Sequence, residues 1–178
     1  MSKTAIPGVI GAGLQPAWAI QLADIPGDVN DDIESIPLAA VLGGQKLDCY
    51  YDFGGLELTR TANTRTRQRA CQKVEETIKI GESITGTLRI VWDQQKIKDD
   101  TAVINDAYRA LPEGAQVYLF VAHGYDGDQD PTATTIGDLW RMRVNQVAHP
   151  FVASNEEDIM ALLDLTGDLF VPNISLSA

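Results

Sequence analysis

The feature that most constrains the fold is a run of alternating apolar and polar residues from Val74 to Trp92. Apolar side chains recur at even positions on both sides of Gly81-Glu82-Ser83, and β-branched residues are frequent in both halves. A period of two is typical of a strand with one buried face, and a short break containing glycine and serine is typical of a turn. We therefore predict a long antiparallel hairpin that turns at residues 81–83. Its polar face carries Glu75, Thr77, Lys79, Thr85, Thr87 and Arg89.

A basic segment, residues 60–73, leads into this hairpin. It contains no carboxylate, and its cationic residues are Arg60, Arg65, Arg67, Arg69 and Lys73. A stretch of this length without periodicity is usually functional or disordered, and we predict a long loop over residues 59–72. Phosphate binding and simple solvation are two explanations for the arginines. The net charge of −11 favours a third, in which they contact an acidic surface of another copy.

Size and charge narrow the class of protein. A chain of 178 residues suits one domain with a proper core. Its negative charge argues against sequence-independent binding of nucleic acid, which depends on phosphate neutralisation. No apolar run approaches the roughly 18 residues needed to span a membrane. Cys49 and Cys71 are far apart in the sequence, so a reduced pair and a single disulfide both remain open.

The remaining pattern predicts roughly seven to nine strands with one helix, which indicates a β-sandwich or open barrel. The helix is expected over residues 99–111, and residues 18–171 would form a single domain. The polar tail, residues 172–178, is expected to be an unstructured arm. Other strands are expected over residues 17–23, 47–53, 56–60, 115–122, 135–147 and 158–171, and one helical turn is expected over residues 36–42.

Residues 1–17 are apolar and carry one charged side chain, Lys3. Ala17-Trp18-Ala19 gives them a superficial likeness to a secretory signal peptide, but prolines and glycines interrupt the apolar stretch. We expect instead a flexible arm that becomes ordered against another surface. Its large apolar side chains are Ile6, Val9, Ile10 and Leu14.

The sequence contains no coherent catalytic or metal-binding motif. Residues 126–130 (DGDQD) open like a calcium loop, but Pro131 and Gly137 stand where that loop needs a glycine and a bidentate glutamate. His123 and His149 are isolated, and no local signature supports a cysteine–histidine dyad. Nucleotide-binding, zinc-protease and serine-hydrolase motifs are missing from the sequence. We therefore expect a protein that is not an enzyme and that needs no cofactor or metal.

Several short motifs follow one another in an informative order. They are the C-Y-Y, G-G and L-x-L-T-R pattern of Cys49 to Arg60, the polar segment closing on Arg69-Ala70-Cys71, the run GESITGTLRIVWDQQ, Ala107-Tyr108 followed by Leu111-Pro112-Glu113-Gly114, and the strand VYLFV followed by His123-Gly124. In this order, over roughly residues 5–172, the chain resembles the tail-tube (major tail) proteins of long-tailed bacteriophages, particularly those of actinobacterial hosts.

The resemblance implies a structural virion protein. In that family hexameric rings stack into the tail tube through which genomic DNA passes. The hairpin face defined above would line an inner β-barrel. The loop 59–72, with its arginines, and the arms 1–16 and 172–178 would bridge subunits. Arm contacts are thus expected at Ile6, Val9, Ile10 and Leu14.

The resemblance also implies partners and a location. The first partner is the chain itself; the others are tape-measure, tail-terminator and baseplate or initiator proteins. Double-stranded DNA would pass without specific binding, repelled by an acidic lumen, and no membrane is involved. The chain would be made in the host cytoplasm and act in the virion.

Two alternatives remain open. The first is another phage tail component, such as a terminator, or a secretion-tube protein of the same fold. The second is a β-sandwich carbohydrate-binding module, whose exposed aromatic residues would be Trp18, Trp92, Trp140 and Tyr125. A hydrolase is disfavoured because no coherent triad can be drawn.

Overall fold

The chain is mainly β, as predicted, and α-helix is limited to two short elements in the described part. The computed structural model describes residues 16–27, 29–30, 32–51, 54–67, 76–124, 130–149 and 160–178. The strands are β1 (Ala17–Gln21), β2 (Ser35–Pro37), β3 (Gln45–Lys46), β4 (Leu56–Arg67), β5 (Glu76–Val91), β6 (Gln116–Ala122), β7 (Ile136–Ala148) and β8 (Met160–Ser177). The helices are α1 (Leu38–Gly43) and α2 (Asp106–Ala110).

The eight strands of the described residues belong to one sheet. Its order is β3-β1-β6-β7-β8-β5-β4, every neighbouring pair along this path is antiparallel, and β2 adds to β8 in parallel. Three of the pairs, β4–β5, β6–β7 and β7–β8, join strands that follow each other in the chain. Such local pairings are the common way in which an antiparallel sheet is built.

Hydrophobic clusters cover both faces of the sheet. One cluster joins Leu88 of β5 and Leu163 of β8 to Leu119 of β6 and Ala19 of β1. Because distant strands share this cluster, the sheet curls and its two halves pack on each other, which agrees with a sandwich-like class. A second cluster places α1 and β2 over the opposite face of β1, β6 and β7.

The predicted turn at residues 81–83 is wrong. β5 runs unbroken through Gly81, and it pairs with β4. A register shift between Asn63 and Thr64 leaves Ile80 without a partner in β4, which is the geometry of a β-bulge. The predicted loop over residues 59–72 is also wrong as far as Arg67, because those residues form part of β4; residues 68–72 lie outside the described residues.

The bulge divides the side chains that were predicted to share one polar face. Directly opposed residues of an antiparallel pair project from the same face. Thr85 lies opposite Thr59, and the same face of β4 continues to Arg65, which lies opposite Ile78. One extra residue in β5 therefore reverses the alternation. Thr85, Thr87 and Arg89 project from one face, and Thr77 and Lys79 from the other; Glu75 lies outside the described residues.

The helix predicted over residues 99–111 is much shorter than expected. A 3-10 turn (Val103–Asn105) leads into α2, which starts at Asp106. The Thr101 N–H donates to the Asp99 carboxylate at 3.0 Å, a local turn that competes with helical hydrogen bonding. A strand was also predicted at residues 47–53, where the structure has a 3-10 turn, Asp48–Tyr50, and residues 52–53 lie outside the described part.

The tail was predicted to be unstructured from residue 172, and this is wrong through Ser177. β8 continues to that residue, and its last part pairs with β2 on one side and with the start of β7 on the other. Ile174 and Leu176 are buried in the second hydrophobic cluster. These two residues alternate with Ser175 and Ser177, which is typical of a strand. The prediction was wrong because it relied on the polar composition of the tail and not on this alternation.

Candidate assembly surface

One outer face of the sheet is polar, and we call it the polar face. It is formed by residues 56–60 of β4, residues 84–91 of β5, β8 and the second half of β7. Strand register aligns its side chains in rows, while the alternate residues of the same strands, such as Leu88 and Leu165, are buried. One row contains Thr59, Thr85, Thr166 and Arg143, and the next contains Glu57, Thr87, Asp164 and Gln146.

Acidic and basic side chains are balanced on the polar face. Arg141 and Asp168 form a bidentate pair, with Nε–Oδ1 and Nη2–Oδ2 distances of 2.6 and 3.0 Å. These hydrogen bonds to Asp168 raise the pKa of Arg141 and keep it charged. The other charged side chains of the face are Glu57, Asp164, Arg89 and Arg143. The net charge of −11 is therefore not concentrated here.

β4 gives the polar face one open edge. It is the last strand of the sheet, and no described strand pairs with its outer side. The Arg89 N–H donates to the Gly55 carbonyl at 2.8 Å, so the alternation of an antiparallel ladder turns the odd residues of β4 towards β5. The backbone N–H and C=O groups of Leu58, Arg60 and Ala62 consequently point outwards.

The second half of β7 gives the face another open edge. The pairing of β6 with β7 begins at Gln116, opposite Arg143, and the loop before it contacts β7 through two hydrogen bonds with Val144. Within the described ranges, no strand lies beside residues 145–148 on that side. The polar face therefore has an open edge on each side.

The far part of the β4–β5 hairpin projects from the body, and we call it the projecting hairpin (residues 61–67 and 76–83). All of its residues except Ile78 are classed as exposed when backbone and side chain are taken together. Glu82 forms ion pairs with both Arg60 and Lys79, and Arg67 Nε lies 3.2 Å from Glu76 Oε2.

The predicted contact arginines have different surroundings. Arg60 is bound to Glu82, and its guanidinium lies 5.0 Å from the centroid of the Phe170 ring. Arg67 also forms an ion pair, whereas the exposed side chain of Arg65 forms none with the described residues. The structure thus brings three predicted residues onto one hairpin, on both of its faces. The others lie outside the described residues: Arg69, Ile6, Val9, Ile10 and Leu14.

No family model matches this chain, and no curated protein is significantly similar to it in sequence.

The three tryptophans, all within the described ranges, do not form an exposed platform for a sugar. Trp18, Trp92 and Trp140 are all buried. Trp18 packs in the second cluster, with its ring centroid 6.0 Å from that of Phe120, and Trp140 lies 4.1 Å from Phe170 in the first. Tyr125, the fourth candidate, lies outside the described residues. The carbohydrate-binding alternative therefore lacks support from three of its four residues.

The histidines and cysteines do not build a reactive centre in the described part. His123 Nε2 lies 3.0 Å from Asp138 Oδ2, and His149 Nε2 lies 3.2 Å from the Tyr108 hydroxyl. Cys49 is an exposed free thiol, whereas Cys71 is not among the described residues. Across these same ranges, no group of three or more potential ligands could hold a metal ion. None of the described helices has the length and apolar character that crossing a membrane requires.

Sequence reasoning missed half of the polar face. Asp164 and Thr166 alternate with the buried Leu163 and Leu165. This alternation predicted a strand, but it did not predict which strand lies beside it in the sheet. That β8 lies between β5 and β7 depends on pairing between distant segments. The polar side of β8 could therefore be found by periodicity, but its position beside Thr85 and Thr87 could not.

Proposed function

We propose that the chain is a structural subunit that assembles edge to edge into rings, of the tail-tube type found in long-tailed bacteriophages. The observation that carries this proposal is the polar face with an open edge on each side. Unpaired N–H and C=O groups of an edge strand are a template for pairing with another chain. If the edge of β4 pairs with residues 145–148 of β7 in the next copy, the contact is heterologous, and rotation closes it into a ring.

In such a ring the polar face lines the lumen. Outside the projecting hairpin, the opposite side of this part of the sheet packs in the hydrophobic core, so the polar face is its water-accessible side among the described residues. Hydroxyl groups from Thr59, Thr85 and Thr166 lie side by side across three strands. The ring would then enclose a water-filled conduit with a hydroxyl-rich wall.

The proposed lumen suits the passage of double-stranded DNA without retention. Sequence-independent binding of DNA requires cationic side chains that neutralise phosphates. On the polar face, three arginines are matched in number by three carboxylates, and Arg141 is bound to Asp168. We propose a charge-balanced wall in place of the acidic lumen expected above.

Stacking of the rings would use the projecting hairpin. It extends beyond the body and has both faces exposed. In a monomer, therefore, no other described element packs against it. The Arg65 side chain forms no ion pair with a described residue, so it is the arginine best placed to meet an acidic surface of another copy. Tape-measure, terminator and baseplate or initiator proteins remain proposed partners, and the virion remains the proposed location.

The test is negative-stain electron microscopy of the purified chain over a range of concentration and salt, with a pair of variants at the β4 edge. Ala62→Pro removes a backbone N–H that points away from β5 and forms no hydrogen bond with it. Proline is tolerated at such a position of an edge strand. We expect rings or tubes from the unaltered chain and from the control Ala62→Ser, and only monomers from Ala62→Pro with an unchanged circular dichroism spectrum. Rings from Ala62→Pro would contradict the edge-pairing mechanism.

Charge reversal separates ring formation from stacking. Arg65→Glu is expected to leave single rings but to shorten or abolish tubes. The control Arg143→Glu changes the same charge on the polar face and should leave stacking intact. Single rings from the unaltered chain at all concentrations would favour a tail-terminator type of protein over a tube protein.

A further inference from the structure

The segment between β5 and α2 presents aliphatic side chains to solvent. Six large hydrophobic side chains are exposed in the described part of the chain, and three of them lie within residues 97–104. Their exposed fractions are 38% for Ile97, 68% for Val103 and 38% for Ile104. We call these three residues the aliphatic patch. These residues lie within eight positions of one another, and exposed apolar side chains that form a contiguous patch often mark a contact surface.

The backbone beneath the patch is held in place. The Arg109 guanidinium donates to the Ala102 carbonyl at 2.9 Å and to the Asp99 carbonyl at 3.1 Å. The Tyr50 hydroxyl donates to the Val103 carbonyl at 2.9 Å. Binding at this patch would therefore require little ordering of the loop, which lowers the entropic cost of a contact.

We propose that the aliphatic patch binds the apolar N-terminal segment, residues 5–15, of the same chain. This segment contains no charged residue, and its large side chains include Ile6, Val9 and Ile10. An apolar occupant suits the patch because no charge has to be desolvated. The inference concerns the single chain and does not depend on the proposed function.

The start of β1 lies within reach of the patch. The Leu47 N–H donates to the Ala17 carbonyl at 2.8 Å. Leu47 directly precedes the 3-10 turn Asp48–Tyr50, and Tyr50 reaches Val103. One 3-10 turn spans roughly 6 Å, whereas eleven extended residues reach about 36 Å. The segment, which precedes the first residue of β1, is thus long enough to reach the patch and cover it.

The test is photo-cross-linking of the full chain with p-benzoylphenylalanine in place of Ile10, at a concentration where the protein is monomeric. Cross-linked peptides are mapped by mass spectrometry in an equal mixture of unlabelled and ¹⁵N-labelled protein. We expect links to residues 94–105 within single-isotope molecules. Mixed-isotope links would place the segment on a second copy and overturn the proposal, as would links predominantly to another surface of the same chain or an absence of links.

Variants of the patch provide the matched control. Val103→Asp is expected to lower the yield of this cross-link at least tenfold, whereas Leu42→Asp, an exposed aliphatic position outside the patch, should leave it unchanged. Equal loss with both variants would overturn the proposal. Circular dichroism verifies that each variant is folded, and Ile97→Asp replaces Val103→Asp if the latter is not.

Discussion

Asn105 binds both backbone groups of Asp93. Its side-chain oxygen accepts the Asp93 N–H at 2.8 Å, and its side-chain nitrogen donates to the Asp93 carbonyl at 3.0 Å. Asn105 is completely buried. The Asn105 side chain therefore links the end of β5 to the start of α2 by the two hydrogen bonds that a neighbouring strand would make. It holds the two ends of the exposed loop between them together.

Replacing Asn105 with alanine should destabilise the protein markedly. The change removes two hydrogen bonds and leaves the Asp93 N–H without a partner, while the Asp93 carbonyl keeps the Lys96 N–H at 3.2 Å. We expect a cost of about 1–3 kcal/mol in the free energy of unfolding. Urea denaturation measures this. Asn145→Ala is the control, because Asn145 is exposed and accepts one hydrogen bond, from Thr166. Equal losses for the two variants would contradict the role of Asn105.

Gly167 should not tolerate even one methyl group. A Cβ at this position would lie 2.6 Å from Met142 Sδ, 2.7 Å from Ile84 Cγ2 and 2.9 Å from the Arg141 carbonyl oxygen. The carbonyl belongs to the paired strand β7 and cannot move away freely. We expect Gly167→Ala to lower the free energy of unfolding by about 1–3 kcal/mol.

A second glycine of the sheet serves as the control for this prediction. A Cβ at Gly81 would meet nothing within 4 Å, so Gly81→Ala should change the stability by less than about 0.5 kcal/mol. Thermal unfolding of both variants makes the comparison. A stable Gly167→Ala protein would show that β7 and β8 are packed less closely at this point than the structure indicates.

Asp48 should make the stability depend on pH. Burial raises the pKa of this carboxyl group, and Lys46 offsets part of the effect; its Oδ1 is buried without a hydrogen-bond partner. A folded-state pKa above the unfolded value means that the stabilisation is complete below pH 3.8 and is lost as the pH rises through the folded pKa. Asp48→Asn should therefore be more stable than the unaltered chain at pH 7, and this advantage should vanish in acid.

Urea denaturation at pH 7 and pH 3.5 tests the prediction for Asp48. Asp164→Asn, at an exposed position of the polar face, controls for the change in net charge. A destabilised Asp48→Asn protein at pH 7 would mean that the attraction between Asp48 and Lys46 outweighs the cost of burial.

Tyr51 should ionise at a higher pH than an ordinary tyrosine. Burial, with a smaller contribution from the Asp48 carboxylate, raises the pKa of Tyr51 to about 12 from its ordinary value of 10.0. The stabilisation from this neutral phenol is complete below pH 10 and is lost as the pH rises through about 12. In Tyr51→Phe, stability should fall less steeply over this window. Phenolate absorbance follows the titration, and complete ionisation of all five tyrosines near pH 10 would contradict it.

Periodicity predicted local structure well where alternation was unbroken. The apolar positions Ile84, Leu88 and Ile90 are buried as their spacing indicated, and β6 and β7 lie close to their predicted limits. The turn predicted at Gly81 was wrong. A glycine in a strand fits both a turn and a bulge, and only the pairing of β5 with β4 distinguishes them.

The sequence by itself determined the mainly β class, the polarity of Thr85, Thr87 and Arg89 and the absence of a catalytic motif, because these depend on neighbouring residues and on composition. Only the tertiary structure decided that β8 lies beside β5, that Thr77 and Lys79 face away from Thr85, and that the polar face has two open edges. Strand order and register arise from contacts between residues far apart in the chain. A pattern read along the chain records which side of a strand is buried, but not which strand lies next to it.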